Sequence, residues 1–124
     1  MTCVTAELLE RNASQWPQLV VLKFDSGETF TTVELLATVR SHAAGLQLLG
    51  VQQDDYVLSW LPNGPAAVIN WLALNLLGAI YVPINTAYKG RLLQHVIASS
   101  NATLMLADSA FLERLTDIRT GKLK

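Results

Sequence analysis

Hydrophobic and polar positions follow two different periods along this chain. Short apolar runs recur, and the stretches between them carry apolar residues at three- and four-residue spacing. The first pattern is typical of buried strands, and the second of helices that bury one face. The order of these segments therefore predicts the layers of the fold.

The N-terminal part predicts a helix over 5–15 and then two short strands, over 19–24 and 29–31. Turn residues occupy 25–28, so the two strands form a hairpin that lies apart from the main sheet.

A long helix is expected next, because Thr31 and Glu34 have the T-x-x-E spacing of a capping box. Its apolar stripe runs from Leu35 to Leu49, and Gly50 is placed to end it.

The remaining pattern alternates regularly between strand and helix. The predicted elements are strands over 56–61, 80–84 and 103–107, helices over 65–77 and 87–99, and a last helix capped by Asp108 and Ser109. Short loops between such elements imply crossover connections and parallel strands. The fold class is thus α/β, a layered sandwich with a mainly parallel sheet flanked by helices, plus a short N-terminal hairpin.

Composition indicates a single domain with surface that needs a partner. The 124 residues predict one domain over 1–124, of which 120–124 read as a polar tail. Hydrophobic residues make up 51% and charged residues 15%. We therefore expect apolar surface that is covered by another polypeptide or by self-association.

Charge and segment composition exclude several classes of partner and location. A net charge of −1 gives no broad basic field, so nucleic acid is not expected as a partner. The uncharged stretch over 66–84 is interrupted by Gly78 and reaches Pro83, which predicts helix, turn and strand rather than a transmembrane helix. No secretory signal precedes it, and the single Cys3 fits a reducing, cytoplasmic location.

The residue types that most often perform chemistry occur without the partners they need. Cys3 has no neighbouring base, and neither helical histidine, His42 or His95, has a spacing that promotes it to a catalytic role. Asp54 and Asp55 form an adjacent pair without a third ligand, so a solvated turn is expected rather than a metal site. We predict no catalytic, cofactor-binding or metal-ligating residue in this chain.

Two turns at the carboxyl ends of predicted strands are the places where a ligand could bind. The turn at Asn63 lacks the glycine-rich pattern of a phosphate-binding loop. The alternatives for this turn are an ordinary helix cap and a nucleotide-binding loop. Lys89 and Arg91 lie near a helix start, where cations oppose the helix dipole. That placement raises the hypothesis of an anion or partner contact, with a solvated helix start as the alternative.

Several stretches, in order, resemble the N-terminal region of the AMP-forming acyl-CoA synthetase family. They are Gly27-Glu-Thr-Phe-Thr-Thr-Val-Glu-Leu-Leu36, Leu49-Gly50-Val51, Asp54-Asp-Tyr-Val57, Pro62-Asn63, Leu77-Gly-Ala-Ile-Tyr-Val-Pro-Ile-Asn85 and Ser99-Ser-Asn-Ala-Thr-Leu104. Thr32 stands where the family usually has an aromatic residue. The tripeptide Tyr88-Lys89-Gly90 most resembles the corresponding segment of acyl-CoA or carnitine-type CoA ligases.

The resemblance implies a parent enzyme that uses ATP, Mg and CoA to activate a carboxylic acid, with a role in fatty acid metabolism. It also implies a phosphate loop ending in Pro-Lys, a Tyr-Gly-x-Thr-Glu segment, a ribose-binding Asp and a C-terminal catalytic Lys. None of these motifs occurs in this sequence.

Two functions from different classes follow from that absence. The first is the N-terminal structural portion of an acyl-CoA ligase, inactive as this piece, whose partner is the remainder of the enzyme. The alternative is a non-catalytic α/β interaction module that retains the scaffold. A third reading, a small nucleotide-binding protein that uses the Asn63 turn, predicts measurable ATP binding.

Overall fold

The computed structural model describes residues 4–24 and 26–116. Its elements are α1 (Val4–Gln15), β1 (Val20–Lys23), β2 (Thr29–Thr31), α2 (Thr32–Leu48), β3 (Tyr56–Trp60), α3 (Pro65–Leu77), β4 (Ile80–Pro83), α4 (Gly90–Ser99), β5 (Leu104–Ala107) and a 3₁₀ helix (Ser109–Leu115). The predictions for Cys3 and for the tail over 120–124 lie outside the described residues.

The main sheet has three parallel strands in the order β4-β3-β5. Val57 of β3 lies beside Tyr81 on one side and Leu104 on the other. The two-stranded hairpin of β1 and β2 is antiparallel and forms a separate sheet. The predicted α/β class, with a parallel sheet and a separate N-terminal hairpin, is confirmed.

The central strand β3 is buried because helices cover both of its faces. Val57 belongs to a core that includes residues of α2 and α3. Leu58 and Trp60 point the other way, into a core with α4 and the 3₁₀ helix. Successive strand residues face opposite sides of a sheet, which explains this division of β3 between two cores.

Helix α3 packs against both α2 and the sheet. It ends at Leu77 because Gly78 adopts a left-handed conformation, with φ of 73°, that favours glycine. Strand β4 then begins at Ile80. None of the helices in the described ranges is both long and apolar enough to cross a membrane.

The second helix begins and ends where the capping signals predict. The Thr31 hydroxyl accepts from the Glu34 backbone N–H at 3.2 Å, and the Glu34 carboxylate accepts from the Thr31 N–H at 2.9 Å. At the other end Gly50 has a φ of 96°. Each group satisfies a backbone atom that the helix leaves unpaired.

Two helices differ from the sequence-based expectation. Helix α4 begins at Gly90 rather than near residue 87, since Asn85 holds the chain in a turn first. The Asn85 side-chain oxygen accepts from the Ala87 N–H, and its carbonyl accepts from the Tyr88 N–H. The last helix is a 3₁₀ helix, the tighter form that is common in short pieces.

Candidate functional site at the carboxyl edge of the sheet

The three parallel strands end together, with Ser59 beside Pro83 and Trp60 beside Ala107. The connections that follow contain residues 61–64 and 85–88 and therefore lie along one edge of the sheet. This is the edge at which ligands bind in open α/β sheets.

The first connection opens onto a surface groove of about 610 Å³. Helix α3 begins at Pro65, as predicted; its N-cap is Gly64, and no side chain caps the helix. The groove brings the sequence-predicted Asn63 together with the hairpin residue Lys23 and with Trp71, among others. Sequence reasoning missed Lys23 and Trp71 because they come from a separate strand and from the outer side of α3.

The second connection is tied to the far end of the described chain by Arg114. Its Nη1 donates to the Thr86 carbonyl at 2.6 Å and approaches the Tyr88 carbonyl at 3.4 Å. The guanidinium also lies over the rings of Trp60 and Phe111, at 5.8 and 5.0 Å from the ring centroids. Arg114 has no sequence signal of its own, since it contacts residues 26 to 54 positions away only in the fold.

Lys89 and Arg91 lie where the sequence places them, at the start of α4. Lys89 is the N-cap, its side chain makes no capping bond, and Arg91 is exposed. Lys89 lines a cavity of about 550 Å³ together with Glu113 and Arg114, so a carboxylate shares the space with the cations. The hypothesis of an anion or partner contact here stays a prediction.

A network of hydrogen bonds joins α2, α3 and β3 on the face of the sheet that α2 and α3 cover. His42 Nε2 lies 3.1 Å from Asn70 Oδ1, and Asn70 Nδ2 donates to Ser59 Oγ at 3.0 Å. Since the Asn70 oxygen faces the ring, His42 is the donor, and its proton lies on Nε2. The side chain of Asn70 is fully buried.

His42 is thus a partly buried histidine that shares a hydrogen bond with Asn70. The sequence signal for its partner was Asn70 itself, which with Asn75 is one of two polar residues in a mainly apolar helix. Pairing it with a histidine 28 positions away required the packing of α2 on α3.

The other candidate residues lie apart from the edge connections. His95 is exposed on α4, 3.5 Å from Ser99 Oγ. Asp54 is exposed in a turn, and Asp55 accepts from the Gln52 N–H at 2.8 Å. Within residues 4–24 and 26–116, no three His, Cys, Asp or Glu side chains come together as a metal site.

Comparison with known proteins places this fold. The family model described as "AMP-binding enzyme" matches residues 9–123. The chain belongs to the AMP-binding enzyme family. The match covers nearly the whole chain, so the hairpin, the parallel sheet and the helices on both faces are all part of the family's scaffold.

Individual members of the family show how much of an enzyme this chain spans. It is 35% identical to 4-coumarate:CoA ligase 1 of Petunia hybrida over 89 residues, which cover 72% of this chain and 16% of that enzyme. The N-terminal subdomain of NpsA from Klebsiella oxytoca, in complex with anthranilyl-AMSN, matches with a TM-score of 0.84 and 25% identity. That match covers 99% of this chain and 30% of the NpsA chain.

A third comparison concerns the fold alone. The N-terminal domain of FACL13 from Mycobacterium tuberculosis matches with a TM-score of 0.89 at 21% identity, over 100% of this chain and 33% of that domain. The chain thus spans less than a fifth of the petunia ligase and about a third of the structurally similar domains.

Proposed function

We propose that this chain is the N-terminal structural portion of an ATP-dependent, AMP-forming acid–CoA ligase and that it activates no acid by itself. The observation that carries the proposal is the family match over residues 9–123 combined with a span of 16% of a 4-coumarate:CoA ligase. The chain thus corresponds to a part of the family's scaffold.

The residues at the carboxyl edge do not fit ATP as a phosphate-binding loop would. The turn at Asn63 has Gly64 as its glycine, whereas phosphate loops use several to bring backbone N–H groups to the ligand. Lys23, Ser26 and Gly64 line the groove, but they come from separate segments and not from one glycine-rich loop. We therefore assign ATP, Mg and CoA to the complete enzyme and derive no chemical step in this chain.

The proposal also assigns a partner, a substrate class and a location. The exposed apolar residues of β1 and α3 are surface that the remainder of the ligase covers. A carboxylic acid is the substrate class of the parent, with fatty acid metabolism as its setting and the cytoplasm as its location. The petunia relative is a 4-coumarate ligase, so aromatic acids belong in any substrate panel.

An activity assay on the purified 124-residue chain tests this proposal. We expect no AMP above the blank from ATP, Mg, CoA and either 4-coumarate or a fatty acid, while the petunia ligase run in parallel gives AMP. Turnover by the isolated chain would show that the proposal is wrong.

Calorimetry tests the hypothesis that the chain is a small nucleotide-binding protein. We expect flat heats when ATP is titrated into the chain. Measurable binding that the substitution Asn63→Ala abolishes, and that Asn101→Ala on an exposed turn retains, would favour the nucleotide-binding reading instead.

The DNA sequence beyond Lys124 distinguishes the ligase portion from the alternative of a non-catalytic interaction module. An open frame beyond Lys124 that encodes a Ser/Thr/Gly-rich loop ending in Pro-Lys supports the ligase portion. A natural stop codon at that position supports the non-catalytic module.

A further inference from the structure

We propose that Arg114 is a latch that couples the 3₁₀ helix Ser109–Leu115 to the connection over residues 85–88, so that releasing the helix also releases the connection. The inference concerns a conformational device in this chain, and it does not depend on the proposed function. Its basis is the set of contacts around one guanidinium group.

The connection has few anchors to the rest of the fold. Its own hydrogen bonds are local, from the Ala87 and Tyr88 N–H groups to Asn85. The described polar ties to distant residues come from Trp60 Nε1, which donates to the Asn85 carbonyl at 3.2 Å, and from Arg114. The Tyr88 side chain also packs against the core that contains Leu58 and Trp60.

The 3₁₀ helix is equally dependent on docking. Its hydrogen-bond geometry is intrinsically poorer than that of an α-helix, so tertiary contacts must hold it. Phe111 stacks at a tilt on Trp60 with ring centroids 4.9 Å apart, and Leu115 packs on the same core. Asp108 begins the segment and caps it through the Ala110 N–H.

Both segments therefore share Trp60 and Arg114. Trp60 is fully buried at the end of β3 and contacts the connection through its indole N–H and the 3₁₀ helix through its ring face. Arg114 donates to the connection while it lies on the rings of Trp60 and Phe111. A planar guanidinium combines these contacts in a way that a lysine ammonium does not.

The consequence is that the start of α4 depends on a residue near the end of the described chain. Lys89 follows the connection directly and begins α4. When Arg114 leaves the edge, Thr86 and Tyr88 lose a charge-assisted hydrogen bond, and Trp60 loses a covering cation. Opening should thus occur as one unit over both segments.

Amide hydrogen exchange of the intact chain tests the coupling. The reporters are the Ala87 and Tyr88 amides of the connection, with the Ile84 amide, bonded to Ser59 in the sheet, as an internal reference. For Arg114→Ala we expect the exchange rates of both reporter amides to rise about tenfold or more. The loss of a hydrogen bond to a charged group shifts an opening equilibrium by about that factor.

Phe111→Ala is the decisive variant, because Phe111 contributes no hydrogen bond to the connection. Under the latch, undocking the 3₁₀ helix withdraws Arg114, and exchange at Ala87 and Tyr88 also rises by about tenfold. Faster exchange confined to the 3₁₀ helix, with both reporters within about twofold of wild type, would overturn the proposal.

Matched variants keep the result interpretable. Arg91→Ala removes the same charge from an exposed position on α4 and should leave both reporters unchanged. Arg114→Lys and Phe111→Leu are milder replacements with smaller increases expected, and they carry the comparison if either alanine variant loses the protection of Ile84. A second readout is emission from Trp60 in a Trp16→Phe, Trp71→Phe background, which should shift to the red when the latch opens.

Discussion

Individual buried polar groups in this chain are tied to more than one element. Asn70 bridges Ser59 on β3 and His42 on α2 from its position on α3. Thr32, also fully buried, donates from its hydroxyl to the Trp16 carbonyl and so joins the start of α2 to the end of α1. Such groups stabilise a fold only while every partner is present, since an unpaired buried polar atom loses its hydration.

Asn70→Ala should lower the free energy of unfolding by about 2 to 4 kcal/mol, because it leaves a cavity and strands both Ser59 and His42. Urea denaturation of the two proteins measures the difference. Asn75→Ala is the control, because Asn75 lies on the same helix and has no bridging role in the described contacts. It should change the free energy of unfolding by less than about 1 kcal/mol. Equal effects of the two substitutions would refute a special role for the bridge.

Helix ends are the places where element boundaries were set most clearly by local chemistry. The capping box of α2 depends on the side chains of Thr31 and Glu34, whereas the left-handed end of α3 depends on Gly78 having no side chain. The boundary of α4 differed from the pattern because Asn85 formed a turn that competes with helix.

Thr31→Ala should cost about 1 kcal/mol of stability, since it removes the hydroxyl that caps the first turn of α2. Thermal or urea unfolding gives the value. Thr103→Ala, at an exposed position outside any helix cap, should be within about 0.5 kcal/mol of wild type. A Thr31→Ala protein as stable as the Thr103→Ala protein would contradict the role of the cap.

The same cap predicts a pH dependence. The Thr31 backbone N–H, and to a smaller extent its hydroxyl, hold the pKa of the Glu34 carboxyl below its usual value. A lowered pKa in the folded state means that the contribution is present above the usual pKa and is lost as pH falls through the folded one. The stability advantage of wild type over Glu34→Gln should therefore shrink as pH is lowered from about 6 to about 3. An advantage that is constant or grows over this range contradicts the assignment.

The molecule as a whole exposes apolar residues that a single small domain would ordinarily bury. Leu19, Val20 and Val21 at the hairpin are more than a third exposed, and Trp16 beside them is 54% exposed. A two-stranded ribbon is marginally stable by itself in water, so a covering partner is expected on physical grounds. Under the proposed function that partner is the rest of the ligase.

Without a partner the isolated chain should self-associate through this hairpin surface. Val21→Lys should therefore lower the weight-average mass found by analytical ultracentrifugation at high concentration, because a charge on an edge strand opposes pairing. Leu48→Lys is the control, since Leu48 is 90% exposed at the opposite end of α2. Equal reductions by both variants would indicate a general solubility effect rather than association through β1.

Most of the fold followed from local pattern, and most of the site did not. The strands at 56, 80 and 104, the hairpin and the caps of α2 and α3 are encoded within windows of a few residues, where periodicity and capping are informative. The register of β3 between β4 and β5 and the distant partners of His42, Trp60 and Arg114 join residues 24 to 54 positions apart. No short window contains both ends of such a contact.

The amino-acid sequence thus specified the layers of this protein and its family. Three-dimensional packing decided which polar groups meet: Asn70 with His42 inside the fold, and Arg114 with the connection over 85–88 at the carboxyl edge. The reason is physical. Secondary structure depends on the order of neighbours along the chain, whereas a hydrogen bond between elements depends on the angle and register at which whole helices and strands pack.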